Sequence, residues 1–235
     1  MAKRKASNTR EKKNSHLSTE ELRNVILTPS QKNFMKSIID NKVTVCYGPA
    51  GTSKTFTACY SALRLYAEGK IDRIILTKPI QESGEKLGHL PGTVEEKIDP
   101  FMESFISNMA KMIGEEATGF LIGQNKIEFR PLAYMRGATF DNAIMILDEA
   151  QNADFRQLLL FITRMAKTSK VVISGDVSQY DIAKNKVALP DFSKMIEKIE
   201  GVGTFIFKKE DIVRDPLLIK IQDEYDKWRE EHEKD

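Results

Sequence analysis

The segment Gly48-Pro49-Ala50-Gly51-Thr52-Ser53-Lys54-Thr55 does most to limit the folds open to this chain. It stands between a β-rich run, Val43–Tyr47, and a helix-forming stretch from Lys54 to about Glu68. A glycine-bearing turn that leads a strand into a helix aims successive backbone N–H groups at one point, and the helix dipole adds positive potential there. With Lys and Thr closing the turn, the pattern is that of a phosphate-binding loop. Lys54 is placed to reach the β- and γ-phosphates of a nucleotide, and the Thr55 hydroxyl to ligate Mg²⁺. The pattern asks for glycine at position 53, where this chain has Ser53. If that backbone needs a positive φ, the serine side chain costs roughly 1–2 kcal/mol.

The rest of the chain alternates in the same way. Continuous apolar runs at Arg73–Thr77, Ala143–Leu147 and Val171–Ser174 read as buried strands, with shorter ones near Lys126–Phe129 and Gly203–Phe207. Helical stretches fall between them: a capped helix after Thr28-Pro-Ser-Gln31 running to about Ile39, helices over roughly Val94–Ile122, and one near Asp154–Ala166. Uninterrupted apolar strands alternating with helices predict an α/β fold with a parallel sheet covered by helices on both faces. A last helix is expected from Pro216, with Asp215 as its N-cap. Leu217, Ile221, Tyr225 and Trp228 form a stripe expected to pack on the body, and the helix is expected to fray beyond Trp228.

Two further strand ends carry acids. Ile144-Met-Ile-Leu-Asp148-Glu149 is an apolar strand ending in adjacent carboxylates, at the sheet edge where ligands bind. Asp148 would share the Mg²⁺ shell and Glu149 would polarise an attacking water. Ser174-Gly-Asp-Val-Ser-Gln179 ends the next strand, and Asp176 and Gln179 are placed to sense the γ-phosphate and that water.

With these segments in hand the chain resembles the PhoH-like ATPases, relatives of the superfamily 1 helicase core, which implies a single RecA-like P-loop NTPase domain. The resemblance rests on Asp148-Glu-Ala-Gln151-Asn152, the Gly175-Asp-x-x-Gln179 loop, Gly84–Gly92, Pro131–Gly137, Thr163-Arg164 and Ile212–Pro216, and spans roughly residues 28–228. Ser53 in place of the usual glycine is its departure. The resemblance implies that Gln31 reads adenine, a role that competes with capping its own helix. It makes Arg136, Arg164 and Arg214 candidates to neutralise transition-state charge, Arg214 favoured. Lys78 and the 84–92 loop resemble a segment that contacts the phosphate backbone of a strand. The implied activity is Mg²⁺-dependent ATP hydrolysis coupled to single-stranded RNA or DNA. A nucleotide-dependent RNA-binding switch with negligible turnover is the alternative.

At 235 residues the chain has no room for a second complete nucleotide-fold domain. A helicase completes its site with an arginine from such a domain. The expectation is therefore a homo-oligomer, a ring with a hexamer favoured, whose arginine comes from a neighbour in trans. The net charge of +2 averages two uneven ends. Residues 1–17 are expected to form a basic, disordered arm, either solubilising or a tether for nucleic acid or polyphosphate, and residues 229–235 an acidic frayed tail around the domain at 18–228. Cys46 and Cys59 are too few for a disulfide framework and read as reduced core residues. No apolar run is long enough to span a membrane and no apolar leader opens the chain, so a cytoplasmic location is expected.

Overall fold

The computed structural model describes residues 17–22, 24–79, 94–176 and 188–232. Among them six strands form one sheet: β1 (Val43–Tyr47), β2 (Arg73–Thr77), β3 (Ile127–Phe129), β4 (Ala143–Leu147), β5 (Lys170–Gly175) and β6 (Val202–Ile206). Their order is β3-β2-β4-β5-β1-β6, and every neighbouring pair is parallel. The helices are α1 (Pro29–Asp40), α2 (Lys54–Ala67), α3 (Val94–Ile113), α4 (Glu115–Gly123), α5 (Phe155–Ile162), α6 (Leu189–Ile196) and α7 (Pro216–His232).

Alternate residues of the central strands feed two cores. Cys46, Ile74, Leu76, Ile144, Ile146 and Val172 pack with Phe34, Leu63, Phe105 and Met109 from α1, α2 and α3. Val45, Ile75, Met145, Leu147, Val171 and Ile173 pack on the other face with Leu158, Phe161, Leu189 and Phe192 from α5 and α6. Burial on both faces is why these strands read as unbroken apolar runs, and each fully buried large apolar side chain contributes roughly 1.5–3 kcal/mol. Cys46 and Cys59 are fully buried and free, and burial pushes both thiols well above their ordinary range.

Local chemistry sets the element ends. Thr28 and Gln31 cap α1 reciprocally, Thr28 N–H to Gln31 Oε1 at 2.9 Å and Gln31 N–H to Thr28 Oγ1 at 3.3 Å. Asp154 and Gln157 do the same for α5, each bond 2.8 Å. The helical stretch expected over Val94–Ile122 is two helices, because Gly114 takes φ 85° between them. The helix expected to reach Ala166 stops at Ile162, since the chain turns there to bring Met165 beside Phe140. α6 has no counterpart in the sequence expectations.

Both ends depart from expectation. Leu17, placed in the arm, is buried with Leu22 in the first core, so the body reaches back to it. Residues 1–16 lie outside the described residues. At the other end Asp215 Oδ1 accepts from Leu217 N–H at 2.8 Å, and the helix begins at Pro216 as expected. Its apolar stripe does not pack on the body: Leu217 is 63% exposed and Ile221 56%. Tyr225 instead stacks on Trp228, with centroids 6.4 Å apart, and Trp228 on His232 at 4.6 Å. That stacking carries α7 through to His232 where fraying was expected after Trp228. Among the described residues no helix is long and apolar enough to cross a membrane.

Candidate nucleotide-binding site

The C-terminal ends of β1, β4, β5 and β2 lie side by side, so the residues that follow them share one edge of the sheet. After β1 the chain turns through Gly48–Ser53 into α2. Ser53 has φ 63° and ψ 37°, the left-handed conformation the missing glycine would supply. We expect Ser53→Gly to stabilise the protein by about 1 kcal/mol, a melting-temperature rise of roughly 2–4 °C on a thermal scan. An unchanged or lower midpoint would show that serine carries no such strain.

Three glycines of the site stand against close neighbours: at Gly48 a Cβ would meet the backbone oxygen of Phe207 at 2.5 Å. Gly51 has φ 83°, and a Cβ there would meet Arg214 Cδ at 2.7 Å. Gly175 ends β5 where a Cβ would meet Leu189 Cδ2 at 2.6 Å and Gln151 Oε1 at 2.8 Å.

Lys54 is folded onto its own loop, donating to the Gly48 carbonyl at 2.7 Å and the Pro49 carbonyl at 2.8 Å. Thr52 Oγ1 also donates to Pro49 O, at 2.9 Å. Ala50 completes the turn between them. Thr55 Oγ1 donates to Asp148 Oδ2 at 2.8 Å, and Ser174 Oγ to Asp148 Oδ1 at 2.8 Å. Asp148 is 2% exposed, and a buried carboxylate is tolerated only when so partnered. Lys78, one residue past β2, brings its Nζ to 3.8 Å from Asp148 Oδ2. The family resemblance puts Lys78 in a strand-contacting segment, whereas its ammonium sits at the Thr55–Asp148 pair.

Glu149 leaves the sheet edge in a left-handed conformation, φ 54° and ψ 35°, with its side chain exposed. Gln151 Nε2 donates to Glu149 Oε2 at 2.7 Å, while Gln151 Oε1 accepts from Asp176 N–H at 2.8 Å. One buried amide thus ties the Glu149 carboxylate to the end of β5.

The candidate residues therefore divide. Lys54, Thr55, Asp148 and Glu149 come together at one edge with Gly48 through Ser53. Gln31 is buried and its Oε1 closes the cap of α1. Its neighbour Ser30 donates to Asp211 at 2.5 Å, tying the start of α1 to the chain that carries Arg214. Val213 N–H donates to Gly51 O at 3.0 Å, which lays Arg214 over the loop of its own chain. The short tie at Val213 sets the Arg214 stem beside the loop of its own chain, an arrangement compatible with action in cis. Arg164 bonds Ala138 O at 3.3 Å beside the start of β4, at the opposite edge of the sheet from the loop. Arg136 is exposed after the helical turn Leu132–Met135. Gln179 and the 84–92 loop lie outside the described residues.

Ser174, Gln151 and Lys78 are site residues that reading the sequence left without these roles. Ser174 and Gln151 stood in quoted motifs, but nothing in a linear sequence says that β4 and β5 are neighbours.

Fold and site define a single-domain P-loop NTPase fold of the RecA-like kind. A large terminase from a thermophilic bacteriophage has this architecture with a TM-score of 0.55 at 9% identity, over 84% of this chain and 48% of that one. The chain belongs to the PhoH-like protein family, whose profile matches residues 25–226. It is 40% identical over 203 residues to a PhoH-like protein of Bacillus subtilis (strain 168), 86% of this chain and 64% of the relative. It is 35% identical over 191 residues to protein PhoH of Escherichia coli (strain K12), 80% of this chain and 54% of that one. The chain thus spans a little over half to just under two thirds of these relatives' length.

Proposed function

We propose that this chain binds ATP with Mg²⁺ and hydrolyses it by attack of water on the γ-phosphate, coupled to single-stranded nucleic acid, RNA favoured. The observation that carries the reading is the 2.8 Å bond from Thr55 Oγ1 to Asp148 Oδ2 at the mouth of the phosphate loop. Two hard oxygens converging there fit Mg²⁺, which takes few protein ligands and completes its shell with phosphate oxygens and water. Among the described residues no group of three or more His, Cys, Asp or Glu offers a full protein cage. When bound, the ion supplies charge neutralisation across the β- and γ-phosphates.

The chain's own residues do the rest in this reading. The N–H groups of Gly48 through Thr55 cradle the phosphates, and Lys54 exchanges its carbonyl partners for phosphate oxygens. Glu149 accepts the proton of the attacking water, with Gln151 fixing the carboxylate and Gln179 helping to place the water. Arg214, lying over Gly51, neutralises charge as it builds on the γ-phosphate. Gln31 reads the adenine edge with the part of its amide that the α1 cap leaves available.

Single-stranded RNA or DNA is the proposed partner, with the basic arm 1–16 as a tether and the cytoplasm as the place of action. The acidic end after Trp228 stands outside the ATPase domain in this reading. Assembly into a homo-oligomeric ring, hexamer favoured, leaves Arg136 or Arg164 to serve a neighbour; the exposed apolar residues of α7 support self-association.

The test is phosphate release with and without single-stranded RNA or DNA across a salt series. Stimulation that weakens steeply as salt rises is expected, because each neutralised backbone phosphate releases counterions. ATP bound but not turned over would favour the nucleotide-dependent switch, and unstimulated hydrolysis would remove the nucleic-acid coupling.

A further inference from the structure

Lys78 is a cation built into the site, with no part in the proposed hydrolysis. Its Nζ lies 3.8 Å from Asp148 Oδ2, the same oxygen that accepts from Thr55, and its side chain is only 15% exposed. It has a second seat on α3: Nζ donates to Ser104 Oγ at 2.8 Å and stands 5.1 Å from the centroid of the Phe105 ring. Two hydroxyl donors satisfy the hydrogen bonding of the buried Asp148 carboxylate but leave its charge uncompensated, and an ammonium at this distance offsets that charge. A divalent cation drawn to Thr55 and Asp148 would meet that ammonium at close range.

We propose that Lys78 is an internal counter-ion that competes with Mg²⁺ for Asp148. It holds the metal-free site neutral and sets the Mg²⁺ concentration at which nucleotide binds. When the metal arrives, the ammonium shifts its weight from Asp148 to Ser104 and the face of Phe105, partners it already touches. Lys78 is therefore a positioning residue that tunes metal demand, in a site whose Mg²⁺–ATP reading this inference takes over from the proposed function.

The arrangement makes two predictions of opposite sign. Lys78→Gln removes the competing charge and lowers the Mg²⁺ concentration for half-maximal binding about tenfold. Coulomb's law gives that size for a unit charge acting on a divalent ion ~6 Å away even at the dielectric constant of water. Ser104→Ala removes the alternative seat, leaves the ammonium on Asp148, and raises the Mg²⁺ requirement roughly two- to threefold, the loss of one exposed hydrogen bond. Lys78→Arg keeps the charge and a requirement near that of the unaltered chain.

The experiment titrates MgCl₂ into the full chain and each variant with a fluorescent, non-hydrolysable ATP analogue at constant ionic strength. A thermal melt without metal runs alongside, in which Lys78→Gln melts lower and gains more from Mg²⁺ than the unaltered chain. Opposite shifts for Lys78→Gln and Ser104→Ala are the expected result. An unchanged or raised requirement in Lys78→Gln, with the unaltered chain binding the analogue in a Mg²⁺-dependent way, overturns the counter-ion proposal alone. If Lys78→Gln does not fold, Ser104→Ala on the exposed surface of α3 decides: a lowered or unchanged requirement overturns the proposal. An unaltered chain that binds no analogue at any Mg²⁺ concentration overturns the nucleotide reading as well.

Discussion

Glu149→Gln is expected to cut ATP hydrolysis by about 10²–10⁴-fold, the range a positioned general base supplies, while leaving nucleotide affinity within a few-fold. The substitution keeps size and shape, and its carbonyl oxygen can still accept from Gln151 Nε2, which now lies 2.7 Å from Glu149 Oε2. The left-handed turn at 149 is also kept, since glutamine bears the same backbone demand as glutamate there. What disappears is the basic oxygen that, in the proposed mechanism, takes the proton of water. Phosphate release and equilibrium binding of an ATP analogue, measured on the same preparation, separate the two effects. Hydrolysis within threefold of the unaltered chain would move the base elsewhere.

Arg214→Ala is the second large effect. The side chain lies over Gly51 with Cδ 2.7 Å from where a Cβ would stand, and Val213 is tied to Gly51 at 3.0 Å. In the proposed mechanism a guanidinium held there meets the phosphates of its own chain's nucleotide. Removing it should lower turnover by about 10³-fold or more, the range for a transition-state arginine. Arg214 is exposed, so the fold is spared. Action in cis would have a sharper consequence. An equal mixture of Glu149→Gln and Arg214→Ala stays inactive, because each chain lacks a group its own site needs. Recovery of a substantial fraction of activity on mixing would mean that the arginine acts across an interface, as the length of the chain alone had led one to expect.

That contrast marks where sequence reading succeeds and where it stops. Motifs built from consecutive residues are legible because their geometry is local. Strands β2 and β4 fall at the residues expected, and the cap of α1 is written in Thr28 and Gln31. The positive φ at Ser53 follows from a loop pattern that asks for glycine there. The meeting of Thr55 with Asp148 follows from the general rule that strand ends gather at one edge of a parallel sheet.

Contacts between distant segments are not legible in this way. Ser174 reaches Asp148 only because β5 lies beside β4, and Gln151 reaches Asp176 only because Gly175 leaves space for its amide. Arg214 is laid over Gly51 through one backbone bond from Val213 that no periodicity encodes. The stripe on α7 shows the converse error. Spacing of apolar residues predicts which side chains share a helix face, but not that a surface awaits them, and Trp228 remains 52% exposed.

The edge carrying Lys54, Thr55 and Asp148 is proposed as a Mg²⁺-dependent ATP site. Steady-state phosphate release by the full chain, with Mg²⁺ or with excess EDTA, and again for Lys54→Ala, tests it most directly. Release with Mg²⁺ is expected to fall to background in EDTA and in Lys54→Ala, with analogue binding weakened in both. Release that persists in Lys54→Ala or without the metal, or a chain that neither binds nor hydrolyses ATP under any of these conditions, would contradict it.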